Sequence, residues 1–129
     1  MRIVTPSLLI TDDDRDLRET LRCVFEPGGF ETLLAADGEE ALEIVQQRPV
    51  HLLLLDMHMP RLTGLDTIRR LKALAQPLPT ILMSAALDPQ IRQEAEEEHV
   101  FRVIPKPFSF TTVRQVVREA LERTYSWAG

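Results

Sequence analysis

A chain of 129 residues with 44% apolar and 27% charged side chains has the composition of a single globular domain, not of a disordered or fibrous polymer. Its formal net charge of -5, with no run of Lys or Arg, argues against nucleic-acid binding by this chain and against anionic membrane surfaces. The lone cysteine, Cys23, excludes an internal disulfide and fits a reducing, cytoplasmic setting. It falls in a helical pattern and reads as a small buried or half-buried filler. Residues 1–6 hold one arginine and no apolar core of leader length. The longest apolar run, residues 52–55, is too short to span a bilayer.

Strand-length apolar runs alternate with helix-period segments along the chain. The run SLLIT, 7–11, predicts a first strand ending abruptly in Asp12, Asp13 and Asp14. Leu17, Leu21, Val24 and Phe25 recur at helical spacing, and Pro27-Gly28-Gly29 stops that helix. Residues 31–35 form the second strand. A helix opened by Asp37-Gly38 follows, with Ala41, Leu42 and Val45 on its buried face and Pro49 beyond its end. HLLLL, 51–55, is the third strand and runs into Asp56; after a loop at 60–64, Leu65, Ile68, Leu71 and Leu74 describe the third helix. Residues 79–83 form the fourth strand, reaching Ser84. Asp88-Pro89 opens the fourth helix with an N-cap and a proline at the first helical position. Residues 100–104 form the fifth strand, and 110–123 the last helix, with Val113, Val116, Val117, Ala120 and Leu121 inside. The expectation is one domain over 1–129, its core at about 7–123 and a short tail at 124–129.

Five strands joined by helices imply right-handed crossovers and a parallel sheet covered on both faces, an α/β doubly wound fold. In such a sheet every strand ends at the same edge, where ligands bind. The unusual polar residues fall at those ends: Asp12 and Asp13, Asp56, Ser84, and Lys106 just after the fifth strand. Crowded carboxylates call for a divalent cation with oxygen ligands, and Mg²⁺ suits two carboxylates plus a phosphate oxygen. A carboxylate nucleophile, a metal and a fixed cation together read as phosphoryl-transfer chemistry. Taken singly, Asp13 or Asp14 reads as a helix cap, Ser84 as a turn residue and Lys106 as a solvated cation. Asp56 resists that treatment, because a carboxylate closing an apolar strand loses solvation unless it has partners.

The run ITDDD, the stretch LLLLDMHMPRLTGLD around Asp56, ILMSA at the fourth strand and IPKPF after the fifth resemble the receiver domains of response regulators. The likeness covers about residues 7–123. It implies a flavodoxin-like sheet of order 2-1-3-4-5. It implies Asp56 as phosphoacceptor, with Asp12, Asp13, Asp56 and the His58 backbone carbonyl holding Mg²⁺ or Mn²⁺. Ser84 matches the switch hydroxyl and Lys106 the phosphoryl-contacting lysine, with a cis peptide before Pro107. The implied partners are a histidine kinase or phosphotransfer protein as donor, and a downstream protein on the face of helix four, strand five and helix five. A homodimer through the last helix is left open.

Two positions depart from the family pattern. Val103 stands where an aromatic residue usually couples to the switch hydroxyl; strand alternation puts Phe101 on the same face as Val103, two residues too early to replace it. His99 stands where Gly is frequent, and a left-handed residue there costs about 1 kcal/mol without Gly. His51 and His99 read as structural or solvent-exposed. Two rivals remain: a degenerate receiver that docks proteins without being phosphorylated, and a phosphatase of the haloacid dehalogenase kind. The second wants an acid where His58 stands, and a cap domain.

Overall fold

Five apolar runs pair as parallel strands: β1 (Ser7–Thr11), β2 (Glu31–Ala35), β3 (Leu52–Asp56), β4 (Thr80–Ser84) and β5 (Arg102–Pro105). Their order across the sheet is β2-β1-β3-β4-β5, as expected. Helices α1 (Arg15–Phe25), α2 (Gly38–Gln47), α3 (Gly64–Ala73), α4 (Pro89–Glu97) and α5 (Phe110–Tyr125) alternate with the strands and cover both faces. The computed structural model describes residues 3–74, 78–86 and 88–129. Residues 1 and 2, part of the segment read as lacking a leader, lie outside them.

The period-2 alternation of a strand divides the core in two. Leu8, Ile10, Leu52, Leu54, Ile81 and Met83 pack under α1 and α5, against Leu21, Phe25, Val113, Val117 and Leu121. Leu9, Leu53, Leu55 and Leu82 face the other way, onto Ala41, Val45, Leu65, Ile68, Leu71, Ile91 and Ala95 of α2, α3 and α4. The three central strands are buried at every position, which is why their sequences lack a polar face. Each helix starts on a side-chain cap: Asp14, Asp37, Thr63 (with Asp66 closing a capping box), Asp88 and Ser109. A short 3₁₀ turn at Glu26–Gly28 and left-handed Gly29 end α1, as Pro27-Gly28-Gly29 foretold.

Several expectations need correction. Cys23 is exposed, not a filler. It lies two residues from buried Leu21, which turns it to the far side of α1. Leu74 falls just beyond the end of α3 and is 42% exposed, so it leaves the buried stripe. β4 begins at Thr80 because Pro79 has no N–H to give, although its carbonyl accepts from Leu53.

β5 starts at Arg102, two residues later than the apolar run suggests. Residues 99 and 100 are used to end α4: the His99 N–H donates to Glu96 O (3.0 Å) and the Val100 N–H to Ala95 O (3.0 Å). This is a Schellman motif, with His99 in the left-handed position at φ 58°. The turn that Gly favours therefore persists without Gly. His99→Gly is expected to raise the unfolding free energy by about 0.5–1 kcal/mol, the relief of left-handed strain minus the entropy Gly adds to the unfolded chain. Urea unfolding at fixed pH checks it, and an unchanged or lower midpoint would contradict it. The late start also moves Phe101 off the strand. It packs toward α1 and α5, while Val103 packs toward α3 and α4, so the two do not share a face.

His51 precedes β3 rather than beginning it, and its role is structural. Its Nδ1 accepts from the Ser7 N–H at 2.9 Å, its own N–H donates to Ser7 O at 2.9 Å, and Tyr125 Oη donates to its carbonyl at 2.7 Å. A ring nitrogen that accepts must be unprotonated. Burial lowers the His51 pKa, with the Glu31 charge opposing. The unfolded chain thus takes up this proton at higher pH than the folded chain. The stability concerned is fully present above the unfolded pKa, near 6.5, and is lost as pH falls through the lower folded value. His51→Asn keeps an acceptor near Nδ1 but cannot titrate. Its urea midpoint is expected to fall less than the wild type's between about pH 7.5 and about pH 5.5; equal slopes would exclude His51 as the source.

Candidate functional site

The parallel register brings all the polar strand ends to one edge. Thr11 pairs with Leu55, Asp56 with Met83, and Ser84 with Pro105, so Asp12, Asp56, Ser84 and Lys106 sit at or just past neighbouring strand ends. Asp12 is 1% exposed, Asp56 3% and Ser84 0%, whereas Asp13 stands in solvent. Buried carboxylates need partners, and here one ammonium serves two of them. Lys106 Nζ lies 2.8 Å from Asp12 Oδ2 and 3.2 Å from Asp56 Oδ1.

Asp12 is fixed from every side. Its Oδ1 accepts from the Asp14 N–H at 2.9 Å, its N–H donates to Ala35 O at 3.2 Å, and its carbonyl accepts from Arg18 Nη1 at 2.7 Å. Asp56 Oδ1 also accepts from the His58 N–H at 3.4 Å. Among the described residues the partners of Asp56 gather on Oδ1, which leaves Oδ2 with lone pairs to give. Burial, and then the Asp12 charge, push the Asp56 carboxyl up, while Lys106 pulls the other way. For Lys106, burial opposes the charge, but the hydrogen bond and charge of Asp12, joined by Asp56, outweigh it and hold the pKa up.

One carboxylate oxygen from each of Asp12, Asp13 and Asp56 lies within 4.8 Å of the other two. An all-oxygen donor set with one arm in water fits a hard divalent cation better than a soft one. These three residues could hold Mg²⁺ or Mn²⁺.

The loop after Asp56 is held by close backbone approach. A Cβ on Gly64 would lie 2.7 Å from Asp56 O and 2.9 Å from Met57 Cα, and the Gly64 N–H donates to Met57 O at 2.9 Å. Only glycine lets α3 start against the end of β3 in this way. Arg61 holds the loop to the start of α2 through Asp37, at 3.1 Å. The Lys106–Pro107 peptide is cis, as expected, and the Lys106 N–H donates to Ser84 O at 2.8 Å.

Two contacts escaped the sequence reading. Arg18 reaches back to Asp12 from one turn inside α1, a placement that follows from helix side chains leaning toward the N-terminus. The His58 imidazole meets the Ser84 hydroxyl, Nε2 to Oγ 2.9 Å. Of the other sequence-singled residues, His51 sits at the opposite end of β3 and His99 at the end of α4, both away from this edge. Among the described residues no helix is long and apolar enough to cross a membrane.

Residues 8–118 match the model of the family described as the response regulator receiver domain. The response regulator MprA of Mycobacterium leprae is 36% identical over 117 residues, covering 91% of this chain and 51% of that protein. The chain thus spans about half the length of the MprA relatives it matches. Sporulation initiation phosphotransferase F of Bacillus subtilis is 32% identical over 119 residues, 92% of this chain and 96% of that protein. Among solved structures, the Francisella response regulator 1452 receiver domain superposes with a TM-score of 0.87 at 28% identity, covering 93% of this chain and 99% of that one. The chemotaxis protein CheY4 of Vibrio cholerae, at 24% identity and a TM-score of 0.86, shares the fold over 92% of this chain and 100% of its own.

Proposed function

The chain belongs to the response regulator receiver domain family of two-component signalling, and from that premise we propose that it is a phosphorylation switch whose acceptor is Asp56. One observation carries the reading: three carboxylates converge within 4.8 Å at the strand ends, with Lys106 on two of them. A capping pair and a solvated lysine have no reason to meet over a buried strand-end aspartate.

Asp12, Asp13, Asp56 and the His58 carbonyl would hold Mg²⁺ or Mn²⁺. The bound ion supplies charge neutralisation and orientation for phosphoryl oxygens. Asp56 Oδ2 forms the new O–P bond as the donor's P–N bond, or the P–O bond of acetyl phosphate, breaks and the leaving group keeps the electron pair. Lys106 stays charged at this site and would turn from the carboxylates to the phosphoryl oxygens. Ser84 would donate to one of those oxygens.

The proposed donor is a phosphohistidine on a histidine kinase or phosphotransfer protein. A near full-length relative named a phosphotransferase supports that chemistry. The proposed output is a downstream protein on the face of α4, β5 and α5, where Phe110 is 39% exposed, and the proposed setting is the cytoplasm. Phosphate can shift this face only through contacts it makes better in one state.

Intact mass after incubation with acetyl phosphate tests the reading. A gain of one phosphoryl group with Mg²⁺, abolished by EDTA, is expected. No adduct under either condition would leave protein docking without phosphorylation as the better reading.

A further inference from the structure

Ser84 is fully buried at the end of β4, and its hydroxyl is already committed. Oγ lies 2.9 Å from Ala86 O, accepts from the Ala86 N–H at 3.2 Å, and meets His58 Nε2 at 2.9 Å. A hydroxyl has one proton and two lone pairs. If Ala86 O takes the proton, His58 Nε2–H and the Ala86 N–H fill the lone pairs. If His58 takes it, the bond to Ala86 O is forgone. Neither arrangement leaves a proton for a third acceptor, so a phosphoryl oxygen on Asp56 gains Ser84 only by displacing one of these contacts.

His58 is placed to register that displacement. It lies two residues after Asp56, its body is exposed, and its Nε2 alone reaches inward to the buried hydroxyl. Val103 packs toward α3 and α4 and has no polar atom with which to answer Ser84. Among the described residues the side-chain partner that Ser84 does have is the imidazole.

We propose that His58 is a positioning residue: its Nε2 accepts the Ser84 hydroxyl proton in the unphosphorylated chain, and phosphorylation exchanges that hydrogen bond for a Ser84–phosphoryl one, freeing the imidazole at the surface of the loop between β3 and α3. The inference rests on Asp56 being the acceptor. It adds that the loop after Asp56 changes its exposed chemistry along with α4, so a partner can read the switch at both.

The test uses the whole chain, Mg²⁺ in every sample, and beryllofluoride as the aspartyl-phosphate mimic. Fluorine NMR reports whether beryllofluoride is bound. The imidazole ¹H–¹⁵N spectrum reports His58, assigned by its absence in His58→Ala; the chain has 3 histidines, so the signals separate readily. Bound beryllofluoride is expected to move His58 Nε2 to the position it takes in ligand-free Ser84→Ala. His58→Ala, which keeps the backbone carbonyl, is expected to bind beryllofluoride roughly two- to tenfold more tightly, the loss of one competing hydrogen bond. His58→Gln, whose amide oxygen can accept near the Nε2 position, is expected to restore the wild-type value. Bound beryllofluoride with an unmoved His58 signal would overturn the inference and leave the switch standing. No bound beryllofluoride in the wild type would remove the switch reading, and this inference with it.

Discussion

Asp56→Asn abolishes phosphoryl incorporation from acetyl phosphate while leaving the fold at least as stable in metal-free buffer. The two halves of this expected result come from one geometry. Asp56 is 3% exposed and its carboxyl is pushed up by burial and by Asp12, so its ionised form is held against a cost. Asparagine has the same shape, can accept at the Oδ1 position, and carries no charge. Lys106 keeps its shorter contact, 2.8 Å to Asp12, and one carboxylate repulsion disappears. Urea unfolding and intact mass on the same samples separate the effects. A variant that still gains one phosphoryl group at the wild-type rate would place the acceptor elsewhere. A variant that loses both phosphorylation and stability would say nothing special of Asp56, because unfolding would explain both.

The second large effect is the opposite in sign for stability. Lys106→Met keeps most of the side-chain stem but removes the ammonium from between Asp12 and Asp56. Among the described residues Lys106 makes the only ion pair to either carboxylate. Removing one partner of a buried pair costs about 3–5 kcal/mol; with Lys106 21% exposed, about 2–4 kcal/mol is the fitting expectation in metal-free buffer. Saturating Mg²⁺ should restore part of it, since a divalent cation on Asp12, Asp13 and Asp56 supplies the missing positive charge. Phosphorylation should slow on the order of 10²-fold even with Mg²⁺, because the phosphoryl oxygens lose one fixed charge. Equal urea midpoints for variant and wild type without metal would mean that the carboxylates are already protonated or solvated. Phosphorylation at the wild-type rate would remove Lys106 from the chemistry.

How much of this was legible beforehand depended on which physical rule was in force. Among the described residues, apolar period located the five strands and five α-helices, because burial on two faces demands unbroken apolar strands, and Asp88-Pro89 marked one helix start outright. The strand limits slipped where local hydrogen bonding overrode pattern. Val100 is apolar enough for β5, yet its N–H closes the end of α4, and His51 is drawn off β3 to hold Ser7. Phe101 then changes face, since alternation holds only within a paired strand. Cys23 falls on the exposed side because an amphipathic helix carries small residues on both faces, and residue type alone does not tell them apart.

The order of strands and helices along the chain is enough to bring Asp12, Asp13, Asp56, Ser84 and Lys106 to one edge. Parallel strands joined by right-handed crossovers must end together, so residues far apart in the chain converge without any contact having to be guessed. How those side chains share their charges and protons is set by packing in the folded chain. That Lys106 lies between Asp12 and Asp56, that Arg18 reaches the Asp12 carbonyl, and that His58 takes hold of Ser84 are choices among rotamers. A hydrogen bond is won or lost over a few tenths of an ångström, and a pattern of residue types along a chain does not carry that distance.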